Sequence, residues 1–335
     1  KKGPSVKNSV TGTGSTLVIQ PLPGIGDGIW HMRALRAIAR TTLEGQITLL
    51  TRKKSQSDQF LKHEPWIKDV LWLDEAKHFG KIGALSLGRD LKKYGFDAVW
   101  ILHHSPRYYI ATSFAGIKNR FGYGFGWLKD MLTTPQHLSR QDKALHPIER
   151  FEKFFDLFQM PLHDEDRLVT ASSALKEAIL IEFKDLPRPW VALGFGATEI
   201  SRIWPCERFA DLGNRLLEQK KAATIFLCGA PHERATAEHI MTLMKEAGHA
   251  VQLIVGRPLA QVNALLSLCD LFIGNDSGLL NMAGSLSTKS LGIFAGFGVQ
   301  GYHQEIFKGI VNSLDSRGPQ HEIEAISVEE VLDAL

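Results

Sequence analysis

Short apolar runs alternate along this chain with stretches whose apolar residues recur at helical spacing. Runs at residues 17–20, 47–51, 70–73 and 98–102 form one series, and runs at 190–194, 224–228, 251–254, 271–273 and 290–294 form a second. Runs this short and continuous predict strands buried on both faces, and the segments between them predict helical crossovers. Each series therefore predicts a parallel sheet covered by helices. Two series predict an α/β protein of two doubly wound domains, whose ligands bind beyond the carboxyl ends of the strands. The expected division is a loose tail over 1–14, a first domain over 15–165, a second over 166–326 and a helix over 327–335, with the ligand cleft between the domains. The boundary follows an amphipathic stretch at 148–158 and includes the polar connector His163-Asp164-Glu165-Asp166-Arg167. The last helix is announced by a capping box, Ser327-Val328-Glu329-Glu330.

Composition changes this picture little. With 335 residues, 44% hydrophobic and 22% charged, the chain has material for two domains of ordinary size. A formal charge of +3 is too small to indicate nucleic acid without a concentrated patch. Cys206, Cys228 and Cys269 lie far apart and form no CxxC pair, so a reducing compartment is expected. No apolar run approaches the roughly 20 residues of a spanning helix, and the polar start has no signal-peptide core. A cytoplasmic protein is expected.

Four loops carry the candidate chemistry. Pro23-Gly24-Ile25-Gly26-Asp27-Gly28 follows the first strand and opens a helical segment over 29–40. Asp27 there reads either as an N-cap accepting backbone hydrogen bonds or as a general base. The loop is not a dinucleotide fingerprint, because Ile29 stands where GxGxxG needs its third glycine. A full match, Gly296-Phe297-Gly298-Val299-Gln300-Gly301, is followed by only 34 residues, too few for the usual βαβ unit. It keeps an NAD-dependent oxidoreductase as an alternative of another class.

In the second series, Gly194-Phe195-Gly196-Ala197-Thr198 leads to Arg202, either a solvated cation or a planar fork suited to a diphosphate. Gly274-Asn275-Asp276-Ser277-Gly278-Leu279 opens another helix, where free N–H groups and the positive dipole end favour an anion. Asp276 is odd there, since a carboxylate repels a phosphate; it reads as an N-cap or as a partner of sugar hydroxyls. Glu233, after the strand at 224–228, either caps its own helix or holds a ribose diol.

These motifs, in this order, resemble glycosyltransferase family 9, the bacterial heptosyltransferases of lipopolysaccharide assembly. The segment His146-Pro147-Ile148-Glu149-Arg150 and the Trp204-Pro205 pair belong to the same resemblance. It implies a GT-B fold, two Rossmann-like domains facing a cleft, and inverting, metal-independent transfer of a heptose from an ADP-sugar to a lipopolysaccharide-core or related glycan. Asp27 is implied as the general base. Gly26, Thr198, Arg202, Glu233, Asp276, Ser277, Gly278 and Asn281 are implied at the donor. No cofactor or metal is expected, and no nucleic acid partner.

Three positions depart from the family pattern: Trp30 and Asn281 stand where histidine is common, and Arg202 where lysine is common. A degenerate homologue that binds a sugar nucleotide without turnover is the alternative that Trp30 and Asn281 motivate. Asp164-Glu165-Asp166 matches the DxD of metal-using glycosyltransferases, but within the connector it reads as a solvated acidic linker. For the acceptor, an anionic glycolipid or oligosaccharide, His104, Arg107 and Arg120 are the candidates, with peripheral contact at the cytoplasmic face of the inner membrane. The aromatic run at 151–158 reads either as a lipid contact or as core packing.

Overall fold

The computed structural model describes residues 10–80, 82–244, 250–296, 311–315 and 322–335. The chain divides into two compact units, Lys1–Asp166 and Arg167–Leu335. In the first, β1 (Thr16–Ile19), α1 (Ile25–Trp30), α2 (Met32–Ala39), β2 (Ile47–Thr51), α3 (Ser57–Leu61), β3 (Ile67–Trp72), α4 (Gly83–Lys92), β4 (Ala98–Ile101), α5 (Pro106–Phe114), β5 (Asn119–Gly122) and α6 (Pro147–Asp156) follow in order. In the second come α7 (Ser173–Glu182), β6 (Trp190–Gly194), α8 (Cys206–Glu218), β7 (Thr224–Gly229), α9 (Arg234–Leu243), β8 (Val251–Val255), α10 (Leu259–Leu266), β9 (Leu271–Asn275), α11 (Gly278–Ser285), β10 (Ser290–Phe294), β11 (Val311–Asp315) and α12 (Val328–Asp333).

Every described strand pairing is parallel, in a five-stranded sheet of order β3-β2-β1-β4-β5 and a six-stranded sheet of order β11-β10-β9-β6-β7-β8. These are the two doubly wound α/β units that the alternation predicts. In each sheet the order reverses once, between β1 and β4 and between β6 and β9. The loops leaving the carboxyl ends of those four strands flank the crevices where such sheets take ligands.

Burial explains which strands the sequence reveals. The central strands β1, β4 and β6 are buried at every residue, which gives unbroken apolar runs. At the sheet edges, β5 carries the polar pair Asn119-Arg120, and β3 exposes Lys68 and Asp69, so the apolar run at 70–73 misses its first residues. The segment at 29–40, expected as one helix, is two. His31 ends α1 and begins α2, and its buried ring bonds the Asp27 carbonyl at 2.7 Å, the same carbonyl its backbone N–H reaches at 3.3 Å. A side chain competing for a helical acceptor disrupts the ladder there.

The aromatic run at 151–158 is core. Phe151, Phe154 and Phe155 are fully buried, and Phe155 stacks on Trp100 of β4 at 5.7 Å between ring centroids. In the second unit, α12 opens with the expected capping box, in which Ser327 Oγ accepts from the Glu330 N–H at 3.2 Å and Glu330 Oε2 from the Ser327 N–H at 2.7 Å. The acidic connector is not uniformly solvated. Asp166 is 5% exposed and takes both forks of Arg40, at 2.9 and 2.5 Å, and Asp164 lies 3.7 Å from Arg33.

Candidate active site

In the first unit, the loop after β1 closes on itself through Asp27. Gly24 is the N-cap of α1 and Asp27 its third residue, so Asp27 is not the N-cap itself: its Oδ2 reaches back to accept from the Gly24 N–H at 2.9 Å. A Cβ on residue 24 would lie 2.7 Å from that oxygen, so glycine is what lets the carboxylate dock. The other carboxylate oxygen has no hydrogen-bond partner among the described residues. One oxygen is fixed by the backbone and the other is not. Gly26, the residue before, is part of the same first turn.

Residues 146–150 brace this loop. His146 caps α6, its Nδ1 accepting from the Ile148 N–H at 3.3 Å, and its ring lies 5.0 Å from that of Trp30. The ring of His31 lies 5.3 Å from Phe151. Arg150 donates to the carbonyls of Lys143 and Leu145, each at 2.7 Å. Trp30 is thus an aromatic wall of the loop.

After β4, His103 and His104 stack at 4.4 Å. His103 Nδ1 accepts from the Ser105 N–H at 3.0 Å, and burial, reinforced by the charges of His104, Arg52, Arg150 and Arg107, pushes its pKa down to about 3. Burial also lowers His31. Both rings stay neutral in the folded protein where the unfolded chain would protonate them. Below the unfolded value near 6.5 the unfolded state binds more protons, so stability falls as pH drops from 6.5 towards 3. Acidification from pH 7 to pH 5 is expected to cost about 1–2 kcal/mol through His103. Urea denaturation across that window should show a shallower slope in His103→Gln; an unchanged slope would exclude the assignment.

Of the acceptor candidates, His104 and Arg107 lie at this sheet edge. Arg120 does not: it is the second residue of β5, and its guanidinium donates to the carbonyls of Met131 at 2.8 Å and Ile117 at 2.7 Å. It ties down a loop through these two carbonyls.

In the second unit, three loops meet at the ends of β6, β7 and β9. Asn275, the last residue of β9, is fully buried; its Oδ1 accepts from the Trp204 N–H at 3.1 Å and its Nδ2 donates to the Phe195 carbonyl at 2.7 Å. Sequence reasoning gave this amide no role, although a polar residue ending a buried strand is a signal that something must satisfy it. Arg202 pairs with Asp276 at 3.2 Å and with Glu199 at 3.2 Å. Asp276, 7% exposed, is therefore neither an N-cap nor a bare charge: it anchors the arginine.

Ser277 is the N-cap of α11, yet its side chain makes no capping bond, and its Oγ is buried without a hydrogen-bond partner. Gly278 is the first helical residue, and Asn281 Nδ2 donates to the Ser277 carbonyl at 2.9 Å. Glu233 Oε2 accepts from the Ala230 N–H at 2.6 Å, which supports the capping reading. A Cβ on residue 196 would overlap the Glu233 carboxylate, so Gly196 lets that carboxylate lie against the β6 loop. Thr198 is exposed on the same loop.

The DxD carboxylates face arginines, which suits ion pairing better than metal capture. Among the described residues, one trio has metal-ligand spacing: Cys206, Glu207 and His239, with ligand atoms within 4.8 Å of one another. Burial and the hydrogen bond that the thiol donates to the Glu207 carboxylate raise Cys206 above its usual range, which keeps it protonated. Gly298 and Gly301 of the glycine match at 296–301 lie outside the described residues.

Comparison with known proteins bears on both units. The family model for glycosyltransferase family 9 (heptosyltransferase) matches residues 84–302. The chain is 25% identical over 254 residues to the lipopolysaccharide core heptosyltransferase OpsX of Haemophilus influenzae, covering 75% of this chain and 70% of that one. It is 24% identical over 221 residues to lipopolysaccharide heptosyltransferase 2 of Salmonella typhimurium, covering 62% of each. Among solved structures, E. coli ADP-heptose lps heptosyltransferase II matches with a TM-score of 0.75 at 18% identity, over 96% of this chain and 97% of that one. A family 9 glycosyl transferase from Veillonella parvula matches with a TM-score of 0.77 at 16% identity, over 96% of each chain. Likenesses at that identity establish the fold.

Proposed function

This chain belongs to glycosyltransferase family 9, the heptosyltransferase family, and we propose that it moves a heptose from an ADP-sugar to a lipopolysaccharide-core or related glycan, with inversion and without a metal. The observation that carries the donor half is the orphaned Ser277 Oγ at the start of α11, next to the Arg202–Asp276 pair. Buried hydroxyls seldom go unpaired, and an anion at a helix N-terminus would pair this one. A diphosphate fits: its oxygens accept from Ser277 and the first amides of α11, with Arg202 supplying the positive charge.

In the proposed reaction, the unpartnered oxygen of Asp27 takes the proton of an acceptor hydroxyl, and the acceptor's oxygen attacks the anomeric carbon as the bond to the diphosphate breaks. A single displacement inverts the configuration. Negative charge grows on the departing ADP, where Arg202 and the helix start stabilise it. Glu233 keeps Oε2 on the Ala230 N–H as a cap and is assigned, through its other oxygen, to the ribose diol, and Asn281 to bracing the phosphate turn. The acceptor's lipid anchor would bring the protein to the cytoplasmic face of the inner membrane. Because Trp30 and Asn281 replace common histidines, the second reading is a homologue that binds ADP-heptose without turning it over.

A thermal-shift screen of nucleoside diphosphates and their sugars tests the donor. ADP and ADP-heptose are expected to stabilise the protein, and Arg202→Gln to weaken ADP binding by roughly 10- to 100-fold, with Arg202→Lys between. Stabilisation by UDP- or GDP-sugars and not by ADP-heptose would overturn the assignment. Donor binding with no transfer to any lipopolysaccharide-core acceptor would select the second reading, and transfer that persists in EDTA is expected under the first.

A further inference from the structure

The first unit holds a second cluster of charge at the same sheet edge as Asp27. Strand β2 lies beside β1, and Arg52 follows its last residue; β4 lies on the other side of β1, and Arg107 is the second residue of α5, which opens after it. Both guanidinium groups rest on one ring. Arg107 Cζ lies 4.1 Å and Arg52 Cζ 4.9 Å from the centroid of Phe79, which places the two carbons no more than about 9 Å apart.

This pair of like charges is poorly compensated. Arg52 has Glu75 at 3.6 Å, but the Glu75 side chain is 67% exposed, and such a pair is weak. Among the described residues, no carboxylate lies within ion-pair distance of Arg107. Arg52 Nε is buried with no hydrogen-bond partner, and so is the Oγ1 of the fully buried Thr51 before it. The ring accounts for the attraction of two cations to one place. It does not account for a buried N–H donor left unsatisfied.

The ring is held where it is by its own loop. Asp74 Oδ1 accepts from the N–H groups of Ala76 and Lys77 at 2.9 and 3.1 Å, and His78 bridges the Asp74 N–H and Asp90, each at 3.1 Å. The loop's own hydrogen bonds thus fix the ring on which both arginines rest.

We propose that Arg52, Phe79 and Arg107 form a clamp for a phosphate monoester carried by the acceptor. The inference rests on the transferase reading for the word acceptor, and on the geometry alone for the phosphate. A carboxylate has two oxygens and saturates one guanidinium. A phosphate monoester offers three unbridged oxygens and up to two negative charges, enough for two forks and the positive end of α5. The clamp would orient an acceptor hydroxyl towards Asp27 by gripping a charged neighbour on the same glycan.

Arginine footprinting with phenylglyoxal, read residue by residue by mass spectrometry on the full chain, tests this apart from any transfer assay. Inorganic phosphate and a sugar phosphate such as glucose 6-phosphate are expected to protect Arg52 and Arg107 together, by about threefold or more, while acetate at equal ionic strength does not. Arg188, an exposed arginine of the second unit, serves as the unprotected control. In Arg107→Gln, a half-exposed site whose change should not unfold the protein, Arg52 should lose its protection, which a merely structural arginine would not do. Equal protection by acetate, protection by inorganic phosphate but not by the sugar phosphate, or unchanged Arg52 protection in Arg107→Gln would each overturn the proposal. Protection at Arg52 and Arg107 without any sugar transfer would leave the clamp standing and fault only the transferase reading.

Discussion

Asp27→Asn is expected to lower sugar transfer by about 10²- to 10⁴-fold while leaving the fold and the affinity for the donor intact. The asparagine oxygen can still accept from the Gly24 N–H, the bond that Asp27 Oδ2 makes at 2.9 Å, so the start of α1 keeps its cap. What the amide cannot do is take a proton with its second atom. The substitution therefore separates the two roles that coexist in this side chain. Asp27→Ala removes both, and should add a loss of about 0.5–2 kcal/mol in stability to the loss of rate. Single-turnover transfer assays beside urea denaturation read the two effects independently. Near-full transfer by the asparagine variant would remove Asp27 from the chemistry and leave it as a cap.

Asn275→Ala is expected to have the largest effect on stability, about 2–4 kcal/mol, because it strands two buried backbone groups at once. The Trp204 N–H loses its acceptor and the Phe195 carbonyl its donor. Asn275→Asp should be no milder, since it keeps an acceptor for Trp204, loses the donor to Phe195 and buries a charge. Both changes loosen the β6 loop against Asp276 and Ser277, so ADP binding should weaken along with the denaturation midpoint. A change of less than about 0.5 kcal/mol in Asn275→Ala would show that the amide does not tie these loops together.

The loops after β6 and β9 and the Asp27 loop were legible because glycine, aspartate and serine cluster where buried apolar runs end. Their partners were not. Arg202 taken singly read as a solvated cation, and Asp276 as a misplaced charge. Each explains the other once parallel pairing of β6 with β9 brings their loops to one edge. Arg120 shows the opposite case, a basic residue with the right composition for an acceptor that local folding assigns to two carbonyls. Arg52 and Phe79 carried no signal at all, since their meeting depends on β2 ending beside a loop that follows β3.

Along this chain, the sequence by itself determined the class of fold, the central strands and the loops worth watching. Burial on both faces of a parallel sheet demands continuous apolar runs, and such runs are visible one residue at a time. Only the tertiary structure decided the edge strands, the division of the helix at His31, the commitment of Asp166 to Arg40 and the company each charge keeps. Those outcomes depend on which distant segments become neighbours, and no local pattern encodes a neighbour.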